Sequence, residues 1–168
     1  MHVIKLGFIS ILFFFLLITG FSLFIPSRVR ISRAMNTGVV KDSLFNRFVT
    51  DLGQWKHWYP GFDTLPVTAT RTEGGKIISG NAGETAIALI NEGDSLVEVT
   101  YTSPGKKPVL QVFRKIVHPL NDSVTVQWYM DFHLRWYPWE KFSGLMFEKR
   151  YGPRMEQGLS RLGTQAGK

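Results

Sequence analysis

The chain has 168 residues, no cysteine and a formal net charge of +7. The absence of cysteine excludes disulfides, thiolate metal sites and a cysteine nucleophile. The basic residues are spread along the chain, no run of Lys and Arg exceeds a pair, and neither a zinc-ligand spacing nor a helix-turn-helix signature is present. We therefore expect no nucleic acid partner.

The first predicted element is an uncharged apolar helix over residues 6–25, after a short tail over residues 1–5. A helix of this length rises about 1.5 Å per residue and spans roughly 30 Å, the thickness of the hydrocarbon core of a bilayer. A cleaved signal peptide is the alternative, but its apolar region normally has only about 7 to 15 residues. The length therefore favours a retained transmembrane anchor and a lipid bilayer as a partner.

Three arginines follow the apolar helix closely: Arg28, Arg30 and Arg33. They outnumber Lys5 on the other side, so the positive-inside rule favours a single-pass protein with its domain on the cytoplasmic side. We predict that the three side chains lie at the membrane interface, where each contributes about 1 kcal/mol of attraction to anionic lipid. The alternative is that they act only as orientation signals.

A half-buried strand is predicted from Val29 to Asn36, where apolar and polar residues alternate, with a turn at Thr37-Gly38. From Asp42 the apolar spacing becomes helical and continues to Trp55. Gly53 is expected to divide this segment into two short helices.

Six further strands are predicted between short turn sequences such as Asn121-Asp122, over residues 65–71, 76–81, 84–91, 96–103, 109–118 and 123–135. The short spacers indicate hairpins and hence an antiparallel meander, because parallel strands need long crossovers. The last strand alternates without a fault from Val124 to Arg135. Its apolar face is therefore expected to line a core or a cavity.

A long C-terminal helix is predicted from Pro138, with a kink or break at Gly152-Pro153 and a frayed tail over residues 163–168. Its apolar stripe includes Trp139, Phe142 and Leu145. The solvated face is predicted to carry four basic residues, Lys141, Lys149, Arg150 and Arg154.

Residue Phe45, the segment Asp51–Pro60 and the segment Trp136–Leu162 carry a family resemblance. Together with the strand order, they make residues 29–162 resemble the START-like or SRPBCC superfamily, and in particular the bacterial polyketide cyclase/dehydrase and lipid transport proteins with one N-terminal membrane helix. The resemblance implies an α+β helix-grip fold. In that fold a curved antiparallel sheet of about seven strands surrounds the C-terminal helix, with two short helices after the first strand.

A helix-grip domain typically keeps a hydrophobic cavity between the sheet and the helix. We predict that this cavity is lined by Tyr101, Arg114, Trp128, Met130, Phe132, Phe142 and Met146. Arg114 would hold a ligand carboxylate or phosphate, or alternatively extend to the rim. The other interpretation is that the same apolar residues fill a solid core, which periodicity alone does not distinguish from a hollow one.

No catalytic residue, metal site or cofactor is predicted. Asp131 and His133 share a strand face, but it is the face opposite the apolar one. His57 and His118 have no neighbouring acid in the sequence to orient them as a general base.

The sequence therefore favours non-catalytic binding of a hydrophobic small molecule or lipid. A cyclase or dehydratase-like enzyme and a protein-interaction or co-chaperone-like module remain as alternatives.

The tripeptide Trp-Tyr-Pro occurs at Trp58–Pro60 and at Trp136–Pro138. Each copy either caps the core or lies at the membrane interface.

Overall fold

A computed structural model describes residues 2–36, 45–120 and 123–166 of the chain. Three sequence predictions lie outside these residues: the turn at Thr37-Gly38, the helix start at Asp42 and the hairpin turn at Asn121-Asp122.

The N-terminal apolar segment forms one helix, α1, over His2–Leu23. Its segment Ile4–Leu23 is long and apolar enough to cross a membrane, although a signal sequence has the same properties. The helix begins earlier than residue 6 and ends before residue 25. Pro26 and Ser27 then lead directly into the first strand, so the connection is very short.

Seven strands form one antiparallel sheet in the order β1-β7-β6-β5-β4-β3-β2. Their bounds are β1 Arg28–Asn36, β2 Thr68–Glu73, β3 Lys76–Ala82, β4 Thr85–Glu92, β5 Leu96–Thr102, β6 Val109–His118 and β7 Ser123–His133. The consecutive hairpins from β2 to β7 confirm the predicted meander. The first strand returns to the last one, with Arg28 opposite His133 and Asn36 opposite Thr125.

Among the described residues between β1 and β2, two short helices follow one another, as predicted. They are a π-helical turn over Asn46–Thr50 and a 3₁₀ helix over Leu52–His57. The division falls at Asp51 and not at Gly53, because the Asp51 carboxylate caps the second helix by accepting a hydrogen bond from the Gly53 amide at 2.9 Å. The same oxygen accepts from the Ile77 amide at 3.1 Å, which ties the cap to β3.

The C-terminal helical region consists of α2, Pro138–Gly144, and α3, Phe147–Ala166. The break predicted at Gly152-Pro153 is wrong: Pro153 lies inside α3, and the interruption falls at Leu145-Met146. Gly152 is buried beneath Arg33, whose guanidinium pairs with Glu148 and Glu156 and so fixes α3 to β1. Helix α3 continues to Ala166, so it includes residues 163–166 of the predicted frayed tail.

The core lies between the concave face of the sheet and α3. Its centre is a cluster of aromatic rings in mutual contact, formed by Trp55, Trp58, Tyr59, Phe62, Phe113 and Trp128. All five apolar positions of β7 from Val124 to Phe132 are buried, and Met155 and Leu159 of α3 pack against the same cluster. The predicted helix-grip arrangement is therefore confirmed.

Candidate functional site

A cavity of about 220 Å³ remains between β7 and the first half of α3. Its apolar walls include Tyr101, Val109, Trp128, Met130 and Phe132. Beyond Trp128 the aromatic cluster fills the space between the sheet and the helix. The interior is thus hollow at one end and solid at the other.

The cavity contains one buried polar pair. The Tyr59 hydroxyl donates a hydrogen bond to the side-chain oxygen of Gln111 at 3.1 Å, and Gln111 is only 2% exposed. Burial raises the pKa of the Tyr59 hydroxyl above its ordinary range, so the group stays neutral and remains a donor. The amide nitrogen of Gln111 makes no hydrogen bond with the described residues. This pair therefore offers a free donor to a molecule in the cavity.

The indole N–H of Trp128 is a second donor without a partner among the described residues, and it is enclosed by the core. The corresponding groups of Trp55 and Trp58 donate to the carbonyls of Val49 and Phe48 at 3.0 and 2.9 Å. The Trp128 nitrogen is buried and has no hydrogen-bond partner among the described residues. A buried donor without an acceptor costs about 1–3 kcal/mol.

Four cations surround the mouth of the cavity. Lys106 and Lys107 come from the loop between β5 and β6, and Arg150 and Arg154 come from one face of α3, four residues apart. All four are exposed, and none forms an ion pair with a residue in the described part of the chain. The mouth therefore carries positive charge that the domain itself does not neutralise.

A larger groove of about 640 Å³ continues from the mouth. It shares with the cavity the residues Lys106, Lys107, Val109, Phe132, Arg150 and Tyr151. The groove extends over Leu134 and Phe147 towards Glu140 and Ser143 of α2. The two spaces form one elongated site with an apolar inner end and a basic middle.

Four of the predicted lining residues border the cavity, namely Tyr101, Trp128, Met130 and Phe132. Arg114 does not line the cavity, because Val109, Gln111 and Phe113 are the inward residues of β6 and Arg114 lies exposed on the opposite face. Phe142 and Met146 also lie outside it. They are 41% and 60% exposed, and the buried face of α2 is formed by Pro138, Lys141 and Gly144.

The sequence analysis missed the Tyr59–Gln111 pair and the four cations at the mouth. Tyr59 belongs to a Trp-Tyr-Pro motif, but nothing in the sequence says that its hydroxyl meets β6. Arg150 and Arg154 follow a normal pattern for a solvated helix face, and only the fold brings them beside Lys106 and Lys107. Lys141, predicted on that same face, is instead 4% exposed.

The three arginines predicted at the membrane interface differ in their surroundings. Arg28 is exposed, and it has no ion-pair partner among the described residues. Arg30 forms a bidentate pair with Asp131 at 2.7 Å and stacks on the Tyr129 ring. This pair raises the pKa of Arg30 and lowers that of Asp131. Arg33 is held by α3, as described above, and its contact with lipid stays a prediction.

The site contains little that suggests acid–base chemistry. His133 borders the larger groove, but no carboxylate of the described residues hydrogen-bonds to its ring, and Asp131 is engaged by Arg30. His57 lies exposed outside the cavity and the groove. Within the described ranges, no group of three or more His, Asp or Glu is arranged to hold a metal ion.

No family model and no curated protein matches the chain in sequence. Solved structures share its fold at low identity. A hypothetical protein from Helicobacter pylori is 9% identical with a TM-score of 0.60, and the match covers 82% of this chain and 88% of that one. A START superfamily protein from Mycobacterium smegmatis is 14% identical with a TM-score of 0.59, covering 82% of this chain and 97% of that one.

A third solved structure is the di-domain ARO/CYC protein BexL from the BE-7585A biosynthetic pathway. It is 10% identical with a TM-score of 0.57, and the match covers 83% of this chain and 50% of that one. At these identities the comparison shows the START-like fold of the chain, whereas function has to be argued from the site.

Proposed function

We propose that this protein is a membrane-tethered, non-catalytic START-like domain that binds an amphipathic molecule with an apolar body and an anionic group. The observation that carries this proposal is the elongated site itself. Its inner end is walled by Trp128, Met130 and Phe132, and its mouth is surrounded by four unpaired cations. Hydrophobic pockets of this kind gain affinity from the apolar contacts and orientation from a few polar groups.

The inner end selects for an oxygen acceptor on the apolar body. The Gln111 amide nitrogen is a donor without an acceptor among the described residues, as described above. A plain hydrocarbon would leave this donor unpaired, whereas a carbonyl, ether or hydroxyl oxygen would satisfy it. Fatty acids with a mid-chain oxygen, prenylated ring compounds and aromatic polyketides all have this chemistry.

Tethering rests on α1 and on the short connection that follows it. The apolar segment Ile4–Leu23 has the length needed to span a bilayer, and only residues 24–27 separate α1 from β1. A domain held this close to lipid would take its ligand from the membrane or deliver it there. The excess of basic residues after α1 supports a cytoplasmic location for the domain.

Native mass spectrometry of the full chain in detergent micelles tests the ligand class. Decanoate and 1-decanol share an apolar chain and differ in charge, so they separate the two requirements of the site. We expect one bound decanoate and weaker binding of decanol. If two exposed cations contribute roughly 0.2–1 kcal/mol each, the preference is about two- to thirty-fold.

Three variants sharpen this test. Met130→Trp fills the cavity and is expected to abolish binding of both probes, and Val109→Phe serves the same purpose if the first variant fails to fold. Arg150→Ser combined with Arg154→Ser is expected to lower the preference for decanoate, with Lys106 and Lys107 left in place. The matched control is Lys149→Ser on the same helix, which lines neither space. Equal binding by wild type and both filled variants would refute a ligand in the cavity.

A further inference from the structure

Helix α2 exposes large apolar side chains, whereas a helix on the surface of a soluble domain normally buries them. Its buried positions are Pro138, Lys141 and Gly144. Two of its three exposed positions, Trp139 and Phe142, are large and apolar, and only Ser143 is polar. Together with flanking residues they form a patch of Trp136, Trp139, Phe142, Leu145 and Met146, each 41% to 63% exposed. An amphipathic helix in water normally shows the reverse pattern. The patch therefore indicates a surface that is shielded from water when the protein functions.

The patch lies where α1 leaves the domain. Helix α2 packs against α1, and Ser22 in the last turn of α1 is completely buried although Phe21 and Leu23 are exposed. The Lys141 ammonium donates to the Ile25 carbonyl at 2.6 Å and to the Ser27 hydroxyl at 2.8 Å. The buried lysine thus fixes α2 to the connection between the apolar helix and the sheet.

This attachment sets the depth of the patch relative to a bilayer. If Ile4–Leu23 crosses the hydrocarbon core, its length of about 30 Å places Ser22 at the boundary with the headgroups. Helix α2 is held against that turn, so its exposed side chains lie at the same level. Trp at this level is typical of membrane interfaces, since the ring is apolar and its N–H can reach polar groups.

We infer that the α2 patch docks into the headgroup region of the same bilayer leaflet and forms a second membrane contact beside α1. This inference rests on the membrane anchoring proposed above. The occupant is lipid, because the patch continues the apolar surface of α1, and the exposed cation Arg135 directly precedes Trp136 and suits anionic headgroups. Docking also has a consequence for the ligand site, since Glu140 and Ser143 of α2 border the larger groove and bring its outer end to the lipid surface.

Tryptophan quenching by brominated lipid tests this contact in the full chain. The protein has five tryptophans, and α1 contains none of them. Trp55, Trp58 and Trp128 are buried in the core, whereas Trp136 and Trp139 are exposed in the patch. In vesicles of phosphatidylcholine and phosphatidylglycerol with bromine near the upper acyl carbons, we expect a loss of up to about two fifths of the emission.

The double variant Trp136→Phe/Trp139→Phe keeps the three core tryptophans as an internal reference and should lose nearly all of the quenching. Flotation of the vesicles reports separately whether α1 is inserted, and decanoate binding reports whether the cavity is intact. A protein that floats and binds decanoate, but whose emission is the same with and without bromine, would overturn the docked patch while leaving the proposed function in place. Cross-linking of two chains through residues 136–146 in vesicles, with no bromine quenching, would assign the patch to a second copy and also overturn the inference.

Discussion

Replacing Lys141 with methionine is expected to release α2 from the connection between α1 and β1. Methionine keeps most of the apolar stem, so the change isolates the ammonium group. The variant loses two short charge-assisted hydrogen bonds, to the Ile25 carbonyl at 2.6 Å and to the Ser27 hydroxyl at 2.8 Å. No carboxylate among the described residues forms an ion pair with Lys141. These two hydrogen bonds therefore compensate the cost of burying its ammonium group.

The magnitude follows from opposing effects. Hydrogen bonds to a charged group contribute about 1.5–3 kcal/mol each, and part of this is offset because the variant no longer buries an ammonium. We expect a net weakening of the α2 contact of about 2 kcal/mol, which corresponds to roughly a 30-fold higher population of the detached state.

Hydrogen exchange measured by mass spectrometry gives a local readout of this change. Amide exchange in the segment from Pro138 to Met146 should accelerate about 30-fold, while exchange in β6 and β7 stays unchanged. Lys149→Met removes the same charge from an exposed position of α3 and is the matched control. If both variants exchange like the wild type in the α2 segment, Lys141 does not hold α2 and the depth assigned to the patch loses its basis.

Three further substitutions test other parts of the fold. Because burial raises the pKa of Tyr59, the folded chain keeps a proton that the unfolded chain loses above about pH 10, so the free energy of unfolding should fall by up to about 1.4 kcal/mol per pH unit there. Tyr59→Phe should remove this part of the alkaline decline in thermal melts. Because Arg30 lowers the pKa of Asp131, their pair stabilises the fold above about pH 4 and is lost as the pH falls through the folded-state pKa. Both side chains are partly exposed, so Asp131→Asn should reduce stability at pH 7 by no more than about 1 kcal/mol and flatten the acid side of the profile. Gly158→Ala would place a methyl group 2.9 Å from the Trp128 ring, so we expect a lower melting temperature, with a net cost of about 1 kcal/mol after the gain in helix propensity; a higher melting temperature would contradict the close packing of α3 on β7.

The sequence predicted the sheet well because its strongest signal is an uninterrupted alternation. In β7 every second residue from Val124 to Phe132 is apolar, and all of these residues are buried as expected. In β6 the alternation fails, since Val109, Leu110, Val112 and Phe113 place apolar groups on both faces. The choice between the two faces then depends on tertiary packing, which is why Arg114 was assigned to the wrong one.

Local helix signals were overridden by tertiary contacts in the same way. Gly152-Pro153 has the residues of a helix break, yet α3 continues through it because Arg33 packs over Gly152 and fixes the helix to β1. The interruption falls instead at Leu145-Met146, directly after Gly144, where α2 is in contact with α1. The burial of Lys141 was unpredictable for the same reason, since its partners are about 115 residues away in sequence.

The Trp-Tyr-Pro motifs show how identical local sequence leads to different environments. Trp58 is fully buried and donates to the Phe48 carbonyl, so the first copy belongs to the core. Trp136 is 58% exposed beside α1. The sequence left both outcomes open for both copies, and only the positions of the flanking elements distinguish them.

Residues 24–27 limit how far the domain can travel. Four residues extend at most about 14 Å, and Ser27 is held on both sides, by the Leu134 amide at 2.8 Å and by Lys141. On the proposed topology, the domain is therefore unable to ferry a ligand across an aqueous gap to another membrane, as a soluble carrier does. The ligand is therefore loaded and unloaded within one leaflet, or it is exchanged with a partner that comes to the domain. Such a partner would approach by two-dimensional diffusion in the membrane. It would meet a cavity mouth whose orientation relative to the bilayer is already fixed.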